Sequence, residues 1–294
     1  MRNRRTPEAF TLIELLVVIA IIGMLLAVLI PSLTTAKRLA TSIACLSNQK
    51  GLIRSYSLYL EANDNWIPGG RIIPEAMYDS LPGGSDQYPP IWVWPPVYAN
   101  LNYAGTRDGD KPTLEDRKRG CQRGALWPFN ENVDLYHCPG DKQFVQPSPY
   151  NRYRSYSIHR GLAVYSPENS SVDIRKYEEI KTPSDKYVFV EEYYDFDGNF
   201  NFNHNSWDFE PWEGDFHDPL GIYHVEASTF AFADNHAEKR KWRDERTLAY
   251  FKNRDAAVAE YGSMAGVCAG NEDLHWLIQH CAYDENGHGP RVFP

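Results

Sequence analysis

Residues 10–30 read FTLIELLVVIAIIGMLLAVLI, and Glu14 is the one charged side chain in that run. About 20 apolar residues suffice to cross the hydrocarbon core of a bilayer as a helix. The run is therefore long enough to span a membrane. Arg2, Arg4 and Arg5 precede it, a basic flank of the kind that stays cytoplasmic. Lys37 and Arg38 follow it, so the charge asymmetry across the run is small. A secretory signal peptide fits poorly, because the apolar core is too long and Val28-Leu29-Ile30-Pro31 offers no small-x-small cleavage site. A plain anchor fits the length but leaves Glu14 unexplained. A carboxylate inside a span costs about 2.5–3.5 kcal/mol on insertion scales, less near the end, so such a residue needs a partner and a role.

The same residues resemble a known motif. FTLIELLVVIAIIGMLLAVLIP, from Phe10 through Glu14 to Pro31, resembles the N-terminal cleavage and methylation segment of type IV pilins and type II secretion pseudopilins. The resemblance implies a cut by prepilin peptidase between Ala9 and Phe10, and methylation of the new amino group. It also implies that Glu14 meets the charged N-terminus of a neighbouring subunit during assembly. Physically, a buried carboxylate and ammonium offset part of each other's desolvation cost. The family usually carries Gly before the cut; this chain carries Ala9, the next smallest residue.

Pro31 is expected to break or kink the helix near the membrane exit. Beyond it, Leu39, Ile43, Leu46, Ile53 and Leu60 recur at helical spacing and predict an amphipathic stripe. Asn63-Asp64-Asn65 and Pro68-Gly69-Gly70 stop it. One helix over residues 10–63 follows, its second half laid on a sheet. The expected layout is a leader at 1–9, a transmembrane and filament-core helix at 10–30, its amphipathic continuation at 31–63, and an exported head at 64–294. The fold class is α+β and pilin-like: a long N-terminal helix packed on an antiparallel β-sheet head with long loops.

In the head, 19 Tyr, 13 Phe and 8 Trp alongside 20 Gly and 20 Pro point to strands and loops rather than a helical bundle. Residues 184–194 read as a strand. Residues 228–242 read as a β-hairpin turning at Asp234-Asn235. Residues 71–120 and 195–222 read as long loops, and residues 271–281 as a short closing helix with Leu274, Leu277 and Ile278 on one face.

The head resembles a large group of bacterial prepilin-like proteins abundant in the Planctomycetes–Lentisphaerae lineage. The residues that carry this are Cys45-Leu46-Ser47-Asn48-Gln49-Lys50, Gly124-Ala125-Leu126-Trp127-Pro128, the run from Leu135 to Asp141, and His224 followed after nine residues by Asp234-Asn235. The last is the group's H-x9-DG motif with Asn235 in place of Gly. Asn also tolerates the left-handed conformation that a turn needs there.

Candidate sites in the head are weaker. Cys121 with Cys138, and Cys268 with Cys281, are the disulfide pairs closest in sequence, suited to an exported compartment. Sequence does not fix connectivity, and Cys45 is left over on the helix. Zinc is disfavoured because no CxxC pair exists. His217, Asp218, His224, Asp234 and His236 are metal candidates by residue type alone. Asp195 and Asp197 suggest calcium, but an EF-hand loop would need Gly and Glu where the chain has Phe200 and Ser206. No cofactor is expected, with calcium as the possible exception. Glu191 and Glu192 with Asp208 or Glu210 could pair as glycosidase carboxylates, though solvated acidic loops explain them as well.

The net charge of −9 argues against nucleic acid as a partner. The expected partners are prepilin peptidase, other pilin or pseudopilin subunits and the inner membrane. The N-terminus would be cytoplasmic and the head periplasmic or at the cell surface. The expected function is that of a non-enzymatic filament subunit. The alternative is an anchored binding module whose Trp66, Trp92, Trp94, Trp207 and Trp212 stack on sugar rings, with burial as the discriminator.

Overall fold

A computed structural model describes residues 12–70, 90–94, 96, 112–142, 153–159, 161–162, 174–193, 206–207, 209, 214–216 and 218–282. The chain divides into two units, Met1–Ala40 and Thr41–Pro294.

Helix α1 covers Leu12–Ala62. Pro31 lies inside it without ending it. A proline here removes one backbone N–H donor. The hydroxyls of Ser32, Thr34 and Thr35 donate to the carbonyls of Leu29, Ile30 and Pro31, so this turn carries extra side-chain bonds. The helix stops where the Asn-Asp cluster predicts. Asp64 and Asn65 take left-handed φ values of 50° and 62°, and the Asn65 N–H closes on Leu60 O at 2.8 Å. Asp and Asn accept that conformation more readily than other side chains do.

In the first unit, every described residue, 12–40, is exposed. An 18-residue window of α1 reaches a mean hydropathy of 3.1 with none of it buried. By length and composition this helix can cross a membrane.

In the second unit, the remainder of α1 lies on a sheet. Its buried positions are Ser42, Cys45, Gln49, Leu52, Ile53, Ser55, Tyr56, Tyr59 and Leu60, one face at helical spacing. This corrects the expected stripe. Leu39 and Ile43 are exposed and Leu46 is half-buried, while the small and polar Ser42, Cys45 and Gln49 face inward. Gln49 fits because its Nε2 donates to Thr229 O at 3.0 Å.

The sheet consists of β1 (Tyr156–His159), β2 (Tyr187–Glu191), β3 (Ser206–Trp207), β4 (Ala227–Phe232) and β5 (Ala237–Lys241), ordered β3-β1-β2-β4-β5. Four strands are antiparallel; the two-residue β3 joins parallel to β1. The β4–β5 hairpin turns at Asn235, whose φ of 75° is the left-handed value expected of a residue standing in for glycine. The fold class is thus α+β, as the sequence implies.

Alternation along the strands, interrupted in β2 by a register shift between Tyr187 and Phe189, builds two cores. On one face Val188, Phe189 and Ala231 meet Leu52, Ile53 and Tyr56 of α1, together with Trp92 and Tyr136. On the other, Tyr187, Val190, Phe230 and Phe232 meet Trp207, Trp242 and the C-terminal helices. Those helices correct the loop-rich reading. Helix α2 (Leu114–Gln122) begins inside the expected loop 71–120 and ends just beyond it. Three short helices, α3 (Glu245–Lys252), α4 (Arg254–Glu260) and α5 (Met264–Cys268), precede the closing helix α6 (Glu272–His280). The last four start on capping side chains, Asp244, Asn253, Ser263 and Asn271, each accepting a hydrogen bond from a backbone N–H. Leu274, Leu277 and Ile278 of α6 are buried, as expected of the closing helix.

Candidate functional site

Two places carry chemistry. The first is the N-terminal motif. Glu14 lies in the first turn of α1, where a carboxylate suits the positive end of the helix dipole. Ala9 and Phe10 lie outside the described residues.

The second is buried in the head, where α1 crosses the sheet. The register of β1 with β2 pairs Tyr156 with Glu191. Val190 pairs with Phe230, so one step on Glu191 stands beside Thr229. These three residues form a row across β1, β2 and β4. Cys45 of α1 sits over that row. Its Sγ lies 2.7 Å from Tyr156 Oη, 2.6 Å from Glu191 Oε1 and 3.5 Å from Thr229 Oγ1. His224, just before β4, brings Nε2 to 3.0 Å from Glu191 Oε1 and 3.3 Å from Cys138 Sγ. Cys138 follows the 3-10 turn Val133–Tyr136. One ligand atom each from Cys45, Cys138, Glu191 and His224 lies within 4.8 Å of the other three, and all four residues are buried.

Backbone and side chains around these groups hold them in place. Glu191 Oε2 accepts the Thr229 N–H at 2.7 Å, which leaves Oε1 turned to the cluster. Cys138 Sγ accepts the Gly140 N–H at 3.4 Å, and the Cys138 N–H donates to Ser155 Oγ. Ser155 in turn donates to Asp141 at 2.7 Å, so the loop through Cys138 is tied to the residue before β1. A Cβ at Gly140 would lie 3.0 Å from Tyr223 Cβ and 3.2 Å from Thr41 Cγ2, so a larger residue would require those side chains to give way. After His224 the backbone is strained: Val225 and Glu226 have φ of 56° and 58°. A β-branched residue is seldom found there, and such strain collects at functional positions.

The electrostatics follow from burial. Burial pushes the Cys45 thiol well up, and Cys138 and Glu191 beside it push the same way. Burial alone would lower His224, but its hydrogen bonds to Cys138 and Glu191 and the carboxylate's charge raise it to about 10. Burial, helped by Cys45, Cys138 and Glu191, also keeps the Tyr156 hydroxyl protonated, so it can donate to sulfur.

Other expected sites fare differently. All five cysteines are free and buried. The disulfides Cys121–Cys138 and Cys268–Cys281 are therefore not formed: Cys138 is drawn to His224, and the Cys281 thiol donates to Ile278 O at 3.2 Å. His224 and His236 do not share a site. One precedes and the other follows the six-residue β4, which separates them by about 17 Å. His236 stacks on Phe232 and bonds Asp234 at the exposed hairpin turn. Asn235 Oδ1 accepts the Ser57 hydroxyl of α1 at 2.7 Å. Asp195, Asp197, Asp208, Glu210, His217 and Trp212 lie outside the described residues. Glu192, far from being a free acid, is buried with Arg154 at 3.4 Å. Trp92 and Trp207 are fully buried, so they fill the core and present no face to a sugar. Trp66 is exposed and is covered on one face by Lys176.

The comparison with protein families matches residues 4–30 to the prokaryotic N-terminal methylation motif. Comparison with curated proteins and with solved structures returned no match. The motif, on a helix apolar and long enough to cross a bilayer, supports a prepilin-like protein anchored in a membrane through α1.

Proposed function

We propose that this chain is a pseudopilin-type subunit. Prepilin peptidase cuts between Ala9 and Phe10 and methylates Phe10. Helix α1 then holds the subunit in the inner membrane, with its N-terminus cytoplasmic and the 64–294 head outside. From there α1 segments of successive subunits pack together into a type II secretion or type IV pilus-like filament. The subunit's work is structural rather than enzymatic, and the head sets the filament's surface. The resemblance of the head to the large-headed H-x9-DG group favours the same assignment.

The observation that carries this reading is the first half of α1, apolar and exposed all round with a single carboxylate near its start. Lipid covers such a surface before assembly, and neighbouring helices can cover it afterwards. In the assembled state the methylated ammonium of one subunit sits against Glu14 of another. Removing one partner of a buried pair costs about 3–5 kcal/mol.

A Glu14→Leu chain should therefore reach the membrane at the wild-type level but lose nearly all multimers in cells cross-linked with formaldehyde. Wild-type multimer ladders from Glu14→Leu, or no ladder from the wild type, would remove the filament reading.

A further inference from the structure

We propose that Cys45, Cys138, Glu191 and His224 bind one zinc-class divalent cation, a structural metal that staples α1 to the sheet of the head. Four features of the cluster support this.

The donor set is the first. Two sulfurs, an imidazole nitrogen and a carboxylate oxygen are ligands that zinc takes in closed four-coordinate sites. Bonds of about 2.0–2.3 Å in a tetrahedron place neighbouring donor atoms about 3.3–3.8 Å apart. Here His224 Nε2 stands 3.3 Å from Cys138 Sγ and 3.0 Å from Glu191 Oε1, and no ligand atom is more than 4.8 Å from another. Small outward shifts of side chains would suffice to admit the ion.

The second feature is the surrounding hydrogen bonding. Each anionic ligand has a donor available outside the cluster: Tyr156 O–H for Cys45, the Gly140 N–H for Cys138 and the Thr229 N–H for Glu191. Donors of this kind orient metal ligands and stabilise their charge. His224 turns Nε2 inward, and its buried Nδ1 meets no partner among the described residues.

The third is the cost of the alternative. Without a metal, the fully buried Glu191 carboxylate is left with His224 Nε2 at 3.0 Å, the Cys45 thiol and one backbone N–H as its partners. A carboxylate removed from water bears a desolvation penalty that such contacts offset only in part. Cys45 Sγ also sits 2.6 Å from a carboxylate oxygen, closer than a weak thiol donor calls for. A divalent cation gives these converging atoms a common partner.

The fourth is placement. The ligands come from α1, the Cys138 loop, the end of β2 and the turn before β4, positions far apart in sequence. With four protein ligands and full burial, no open position remains for substrate, so the role is structural rather than catalytic.

The test uses the full chain purified in detergent. Metal analysis should give one zinc per chain. After removal by chelator, the Tm should fall, and zinc should restore it. Cobalt titrated into the stripped protein should produce thiolate-to-cobalt charge transfer and intense tetrahedral d–d bands, saturating at one equivalent. Cys138→Ser should lose most of the charge-transfer intensity. Cys121→Ser, which alters a buried thiol outside the cluster, should keep all of it. Three results would overturn the proposal: a folded stripped chain that shows no cobalt bands, equal loss in the two variants, or a Cys45–Cys138 disulfide found by mass after denaturation and alkylation.

Discussion

Asn235 shows how much one residue can settle. Its φ of 75° is the value the hairpin requires, and its side chain also accepts the Ser57 hydroxyl of α1. Left-handed backbone costs about 1–2 kcal/mol for an ordinary L-residue, and a hydrogen bond contributes about 0.5–1.5 kcal/mol. Asn235→Gly should keep the turn and give up the bond, changing stability by about 1 kcal/mol or less. Asn235→Val should lose both and cost about 2–3 kcal/mol. Urea unfolding of the detergent-solubilised chain measures the difference; equal effects would mean that backbone conformation is not what Asn235 supplies. The turn was legible in sequence because Asp-Asn between two alternating runs is a local signal. The buried cluster was not. Of its four members only His224 stands out in the sequence as a metal candidate; Glu191 reads as a possible glycosidase acid, Cys45 as a leftover thiol and Cys138 as half of a disulfide pair. Their meeting depends on α1 crossing β2 and on the turn before β4. Ligands at 45, 138, 191 and 224 have no local spacing to read.

At the scale of the element, α1 carries two different surfaces. Its first part was readable from composition, since a run apolar on all sides needs no knowledge of partners. The face of its second part was only partly readable. Ile53 and Leu60 are buried as the stripe requires, but Leu39 and Ile43 are exposed, and Cys45 and Gln49 take inward positions because the sheet offers them polar partners. Tertiary contacts override a hydrophobicity count where buried polar atoms find partners, as Cys45 Sγ and Gln49 Nε2 do. Leu52 is fully buried in the α1–sheet core. Leu52→Ala should therefore destabilise the head by about 2–5 kcal/mol. Leu39→Ala, at an exposed position, should change it by about 0.5 kcal/mol or less. Thermal unfolding of both variants decides it. A costly Leu39→Ala with a harmless Leu52→Ala would mean that the other face of α1 is the packed one. The short helices between Glu245 and Cys268 escaped the sequence reading for a related reason: each is only a turn or two long, and capping plus burial against the sheet stabilises it rather than a long amphipathic pattern.

For the whole molecule, one helix, α1, carries both an apolar N-terminal stretch able to cross a membrane and the face on which the sheet of the head packs. The described part of the first unit offers apolar surface and no buried residue, and the second contains both cores and the buried four-residue cluster. A metal at that cluster would tie α1 to the sheet of the head. The central claim is that this chain is processed as a prepilin. Intact mass and N-terminal sequencing of the protein, expressed with and without its prepilin peptidase, test that claim most directly. The account predicts a chain beginning at N-methylated Phe10 only when the peptidase is present, with Ala9 accepted before the cut. A chain that keeps residues 1–9 in both cases would contradict it and leave α1 as a permanent membrane anchor.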